Sequence, residues 1–297
     1  MDINRSTLNE LYQGFNMSFQ RGLRSRQDQQ AHLRIATEVP STTARNVYPW
    51  LGQSPHMREW LDERRIKQLK AHKHAIENRR FEGTVEVERD AIEDDEFGVY
   101  GPLFEEMGVS AAEWPARTVF ELLKRGETEL GYDDVPFFSA SHPHDELGAV
   151  SNLQAGAQPA WYLFDTTRVI KPLIWQIRRR VRMIRKDDEQ RDERAFMYAK
   201  YLYGVDSRGA AGFALWQLAY KSKAVLDATN LQGALQAMRE LTNDQGSDLG
   251  VNPNLLVVPP ALEYPAKELL MAERNAAGAT NTLNGAVEIY VTNLIKE

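Results

Sequence analysis

The chain of 297 residues contains no cysteine, which excludes disulfides and thiolate metal sites and suits a cytoplasmic product. No apolar stretch is long enough to span a bilayer and no N-terminal segment has the form of a signal peptide, so no membrane partner is expected. Cations are in the minority: 36 Lys and Arg face 42 Asp and Glu, a formal net charge of −6. A dedicated nucleic-acid binder carries a basic excess, so DNA binding as the main task is disfavoured. Phosphate-loop and dinucleotide fingerprints are missing, and no serine sits in a nucleophile elbow. The 6 histidines are too few and too clustered to compose a triad. These absences leave no catalytic, cofactor-binding or metal-binding residue to name.

What is present suits packing. Hydrophobic residues make up 42% of the chain, enough for a substantial core in one large domain or two. The most distinctive stretch is Tyr201 to Lys221, where Gly204, Gly209 and Gly212 are interleaved with or followed by Phe213, Leu215, Trp216, Leu218 and Tyr220. Glycine permits close backbone approach, and aromatic rings supply large contact areas. With few charges among them, these glycines are expected at tight backbone positions and the bulky residues in the core of the body.

Thr7-Leu-Asn-Glu10 has the form of a capping box, and Leu8, Leu11, Phe15 and Phe19 then recur at helical spacing. Two readings of that helix stay open. It packs on its own domain, or it is an arm whose Leu11, Phe15 and Phe19 anchor on a neighbour or a scaffold. Between Gln27 and Ser41 the pattern weakens into a loose linker, and Pro40, Ser41 and Thr42 mark a loop. Arg64, Arg65, Lys67, Lys70, Lys73, Arg79 and Arg80 make a basic run. Thr84 to Glu88 alternates as a strand with Val85 and Val87 on one face, and a partner strand around Ile66 to Leu69 would complete a hairpin. Phe97 to Lys124 reads as helix, kinked or divided at Pro115, and Tyr132 to Pro159 reads as loop.

Strands are expected at Trp161–Phe164 and Val169–Ile177, the latter with Pro172 at an edge or bulge. The basic cluster Arg178 to Lys186 is followed at once by neutralising acids from Asp187 to Glu193, and Trp175 beside it is a stacking candidate for DNA. Further on come a helix over Asn230–Leu241, a buried strand at Leu255–Val258, a helix from Leu262 to Glu273 and a strand at Val287–Val291. Strands and helices mix without regular alternation, so the class is α+β. His142, His144 and Asp145 suggest metal ligands, but Pro143 places them in a loop and no second ligand pair completes a site. Glu93, Asp94, Asp95 and Glu96 lack the spacing of a calcium loop and read as a solvated turn or an ionic contact.

Several blocks occur in a fixed order: Arg45-Asn-Val-Tyr-Pro-Trp-Leu-Gly52, Met57-Arg-Glu-Trp60, the stretch from Phe81 to Asp95 with Gly98-Val-Tyr100, Phe137 to Pro143, Trp161 to Asp165, Val169 to Leu173, and Asn254 to Glu263. Together with the Tyr201–Lys221 run, they resemble the major head (capsid) subunit of Mu-like tailed bacteriophages. The resemblance implies a Hong Kong 97-type phage capsid fold with an N-terminal arm (residues 1–50) and an E-loop region (51–95) that reaches over a neighbouring subunit. A peripheral domain with a spine helix (96–180) would follow, then an axial domain with returning peripheral strands (181–297). Copies would form hexamers and pentamers of an icosahedral shell around double-stranded DNA, which they touch weakly and without sequence preference. Further implied partners are a scaffold protein during assembly, a portal at one vertex and, as an optional addition, a decoration protein. The product would reside in the virion after assembly in the host cytoplasm. Lys67, Lys70, Lys73, Arg79 and Arg80 would then face acidic surface on the neighbour. An encapsulin-like nanocompartment shell protein is the alternative, and a DNA-binding protein the remoter one. No enzyme activity and no cofactor are expected.

Overall fold

The computed structural model describes residues 5–26, 30–48, 74–94, 97–144, 148–188, 191–242, 247–274 and 278–296. In chain order these form α1 (Arg5–Ser25), α2 (His32–Ile35), β1 (Ala36–Pro40), β2 (Arg45–Val47), β3 (Ala75–Glu77), β4 (Arg79–Glu88), α3 (Arg89–Glu93) and α4 (Phe97–Lys124). Then follow β5 (His142–His144), β6 (Gly148–Val150), β7 (Leu153–Gln154), β8 (Trp161–Phe164), β9 (Leu173–Lys186), α5 (Glu193–Tyr198) and β10 (Lys200–Phe213). The chain closes with β11 (Ala219–Ser222), α6 (Ala228–Arg239), β12 (Leu255–Val258), α7 (Glu263–Met271) and β13 (Glu288–Val291). The class is α+β.

The first sheet has the strand order β1-β9-β10-β4. Its long strands alternate, apart from register shifts after Asp206, so one face collects Val181, Met183, Tyr201, Tyr203, Val85 and Val87, while Arg180, Arg182, Asp206, Glu82 and Glu86 point the other way. The apolar face is covered by α1 and the N-terminal half of α4, through Leu11, Phe15, Phe19 and Phe104. The second sheet has the order β13-β12-β8-β11-β7. Every residue of β8 and β12 is buried, as expected of central strands covered on both faces. Their core takes in Val119, Phe120 and Leu123 of α4 and Leu231, Leu235 and Met238 of α6. Thus α4, β9 and β10 each contribute to both cores, and they tie the two sheets into one body.

Several sequence expectations change here. Pro115 does not divide α4, which is continuous over 28 residues with Pro102 and Pro115 inside it. A proline inside a helix costs about 3 kcal/mol, and the burial of Phe104, Val119, Phe120 and Leu123 along this helix offsets that. Residues 30–40, expected as part of a loose linker, carry α2 and β1. The Val85/Val87 strand is real, but the partner described for it is β10, from Lys200↔Glu88 to Gly209↔Arg79. The partner expected at Ile66 to Leu69 lies outside the described residues. The strand expected from Val169 begins at Leu173 and runs on through the basic cluster to Lys186.

The glycine–aromatic run behaves as expected. Phe213, Trp216 and Leu218 are buried in the larger core. A Cβ at Gly212 would overlap the Ile76 side chain, and one at Gly209 would stand 2.7 Å from the Gln176 carbonyl oxygen. Gly204 is less tight, with its nearest neighbour at 3.2 Å.

Candidate assembly surfaces

The stripe on α1 is not available to a neighbour. Leu11, Phe15 and Phe19 are buried within this chain, with the Phe15 ring stacked on Phe104 at 4.3 Å and edge-on to Tyr203 at 5.3 Å. The helices meet through two glycines: a Cβ on Gly22 would overlap the Glu105 carbonyl, and one on Gly108 the Phe19 carbonyl. Arg185 extends from β9 to donate to the Leu8 carbonyl at 3.0 Å and lies over the Tyr12 ring. The anchoring of Leu11, Phe15 and Phe19 on a neighbour or scaffold is therefore overturned. An amphipathic stripe shows that a helix is covered, and here its own body covers it.

The base of the next segment is firmly fixed. β2 pairs antiparallel with β3, the Tyr48 N–H donates to the His74 carbonyl at 2.9 Å, and the Tyr48 hydroxyl donates to buried Gln176 of β9 at 2.8 Å. Tyr48 and His74 thus lie side by side at the edge of this small sheet. Lys67, Lys70 and Lys73 lie outside the described residues. Arg79 and Arg80 are exposed on β4, within the four-stranded sheet.

The outer face of that sheet is charged and open. Asp206 is clasped by Arg179 at 2.6 Å and Arg182 at 2.8 Å, and hydrogen bonding from Arg182 holds its carboxyl below the ordinary value. Arg180 reaches Glu38 at 2.8 Å. Lys200 and Arg194 converge on Glu86, and the Lys200 hydrogen bond lowers that carboxyl likewise. The basic cluster is thus neutralised mainly by Asp206 and Glu38, which register brings across the sheet. From the acidic segment after it, Asp187 meets Arg185 at 3.3 Å and Asp192 meets Lys186 at 4.0 Å. Trp175 is 1% exposed, packed edge-on against Trp114 and His32. A buried ring cannot stack on a nucleotide, so that reading fails.

His142 and His144 share a face because β5 is a short strand rather than the loop expected. His142 is fully buried and stacked on Trp216 at 3.9 Å. Its Nδ1 faces Asp133 at 2.7 Å, and its Nε2 donates to the Asn152 side-chain oxygen at 3.1 Å. His144 donates to the Thr242 carbonyl. These ring nitrogens are committed to the fold. Asp145, Asp95 and Glu96 lie outside the described residues, and among the described residues no group of three or more His, Asp or Glu could hold a metal ion.

Two surface features were missed by sequence reasoning. α5 hangs at the β9–β10 connection by Ala195, which is 4% exposed, while Phe196, Met197 and Tyr198 are exposed at 76%, 60% and 65%. The signal was legible as five consecutive apolar residues, three of them large, between Arg194 and Lys200. Between α4 and the apolar face of the first sheet lies a cleft of about 260 Å3 lined by Phe81, Met107, Ala111, Trp114, Val181 and Val205. No sequence pattern marks it, since it is made by three strands and a helix distant in the chain.

The sequence model of the family described as Mu-like prophage major head subunit gpT matches residues 8–295. The chain is 37% identical to the major capsid protein of Escherichia phage Mu over 308 residues, covering 99% of this chain and 100% of that relative. A chain in the procapsid of bacteriophage JBD30 superposes with a TM-score of 0.85 at 42% identity, covering 98% of this chain and 100% of its own length. For the JBD30 capsid decorated with minor capsid protein trimers the TM-score is 0.78 at 31% identity, with 89% and 90% covered.

Proposed function

This chain belongs to the Mu-like prophage major head subunit gpT family and is a major capsid protein of a tailed phage, and from that premise we propose how its parts build the shell. Copies form hexamers and pentamers of an icosahedral head that encloses double-stranded DNA without gripping it, a role suited to a net charge of −6. Residues 1–50 make the N-terminal segment, with α1 docked on the body. Residues 51–95 make the E-loop region. Residues 96–180 form a peripheral domain with α4 as its spine, and residues 181–297 form the axial domain with returning peripheral strands. β9 runs through residues 180 and 181, so the two domains share that strand.

The observation that carries this reading is the pinned base at Tyr48 and His74. It brings residues 48 and 74 together, as an E-loop that reaches over a neighbouring copy requires of its two ends. The open face of ion pairs supports the same reading: exposed pairs contribute only about 0–1 kcal/mol each, but a shell repeats them at every contact. A scaffold protein during assembly, a portal at one vertex and a decoration protein are the proposed partners. Decoration of the JBD30 capsid by minor capsid protein trimers supports the last. Assembly takes place in the host cytoplasm and the product resides in the virion, and no residue is assigned a catalytic role.

Electron microscopy of the chain co-expressed with its scaffold protein tests the proposal. Closed icosahedral particles are expected. Folded subunits that never close into shells, or shells filled with an enzyme cargo, would overturn it.

A further inference from the structure

We infer that the arginine end of β4 on one copy, Arg79 and Arg80 with Arg208 beside them, meets Glu88, Asp90 and Asp94 at the acidic end of β4 and α3 on a second copy. This rests on the capsid reading and names the two surfaces through which neighbouring copies touch. Register assembles the basic end. Arg80 stands directly opposite Arg208, and Arg208 directly opposite Arg179, so one rung across three strands carries three guanidinium groups. The β9–β10 register shifts on both sides of Arg208, an irregularity of the kind that re-aims a side chain. Arg179 is answered by Asp206, whereas Arg79, Arg80 and Arg208 have no anionic partner among the described residues. Like charges directly opposite one another destabilise a sheet. The isolated subunit therefore holds a repulsion between Arg80 and Arg208 that an anion from outside removes.

The complement lies at the other end of the same strand. Arg80 and Glu88 share the outer face by alternation, and at 3.3 Å per residue they stand about 26 Å apart, too far to pair within one copy. Beyond Glu88 the chain turns into α3, where Asp90 and Asp94 are exposed and have no cationic partner among the described residues. Lys200 stands opposite Glu88 but bonds Glu86 instead. The acidic stretch after β9 differs, because Asp187, Asp188 and Asp192 each have a cation of their own in Arg185, Arg191 and Lys186. Nucleic acid fits the arginine end less well than this surface does. A continuous phosphate chain would run against Glu82 and Asp206 on the next rung, whereas separate carboxylates need only meet the arginines, which bind them as a planar fork. Basic and acidic ends are different surfaces of one chain, so the contact is head-to-tail and closes a ring when the rotation allows. Opposite charges of this kind also fix register and exclude wrong partners.

Charge reversal separates this contact from a role inside the subunit. Arg80→Glu turns the repulsive pair with Arg208 into an attractive one, so the urea midpoint of unassembled subunits should hold or rise. A lower midpoint would show that no such repulsion exists and would overturn the argument. Arg79→Glu with Arg80→Glu should abolish closed shells when the chain is co-expressed with its scaffold protein, and so should Asp90→Lys with Asp94→Lys. The chain carrying all four reversals should form shells again. Shells in normal yield from either double variant, or none from the fourfold variant, would overturn the contact. Shells of normal yield that package less DNA would assign the arginines to nucleic acid and overturn it equally. Absence of closed shells from the unsubstituted chain would instead sink the capsid reading, and this contact with it.

Discussion

Alanine at Gly22 or Gly108 separates a seated helix from a loose arm by the sign of its effect. In a helix exposed to water, Gly→Ala stabilises by roughly 0.5–1 kcal/mol, because glycine loses more backbone freedom on folding. At Gly108 a Cβ would overlap the Phe19 carbonyl and stand 2.8 Å from the Leu23 nitrogen; at Gly22 it would overlap the Glu105 carbonyl and stand 3.1 Å from the Val109 nitrogen. These neighbours are backbone and cannot rotate away, so α1 and α4 must part by about 1 Å to restore ordinary contact. A gap of about 0.5–1 Å forfeits roughly a quarter to a half of each pairwise dispersion well, along a seam that includes Phe15 stacked on Phe104. Overpacking of this kind costs about 1–3 kcal/mol. After the propensity gain, each variant should lose about 1–2 kcal/mol, and the pair less than the sum because they share one seam. Gly14, also in α1 and with nothing within 4 Å of its Cβ position, is the control and should gain the propensity term. Urea unfolding of unassembled subunits, followed by tryptophan fluorescence, reads the midpoints. If Gly22→Ala and Gly108→Ala raise the midpoint as Gly14→Ala does, α1 is not seated on α4 and the docking described above is wrong.

Trp216→Ala should cost about 3–5 kcal/mol, since the ring is 3% exposed and covers His142; subunits should become insoluble before assembly, and soluble folded subunits that fail only to associate would place Trp216 at an interface instead. Burial lowers His32 from 6.5 to about 4, so the unfolded chain binds a proton there before the folded one does. Its contribution, about 3 kcal/mol, is fully present above pH 6.5 and is lost as pH falls towards 4, and His32→Phe should flatten that part of the subunit's pH–stability curve. Burial alone would raise Glu127, but hydrogen bonds from Lys221 and Lys223 outweigh it and hold the carboxyl below its ordinary value. Glu127→Ala removes the countercharge of Lys221, which is 1% exposed, and should cost about 2–3 kcal/mol in urea unfolding, with Glu127→Gln losing less.

Local periodicity was legible in the chain itself. The two-residue alternation of Thr84 to Glu88 decides which side chains share a face whatever strand lies beside it, and the spacing of Leu11, Phe15 and Phe19 decides that this helix buries one stripe. The all-apolar runs Trp161–Phe164 and Leu255–Val258 likewise require cover on both faces, and the ordered blocks carried the family. Tertiary structure alone decided what each of those faces meets. β4 pairs with β10 across more than a hundred residues, α1 turns its stripe to α4 rather than to a neighbour, and Arg179 and Arg182 take Asp206 in place of acids nearer in the chain. Trp175 looked like a platform beside a basic cluster until the sheet buried it. The reason is common to all four: a pattern repeating every 2 or 3.6 residues encodes direction relative to its own backbone, whereas the identity of the covering surface is a long-range contact with no local signature.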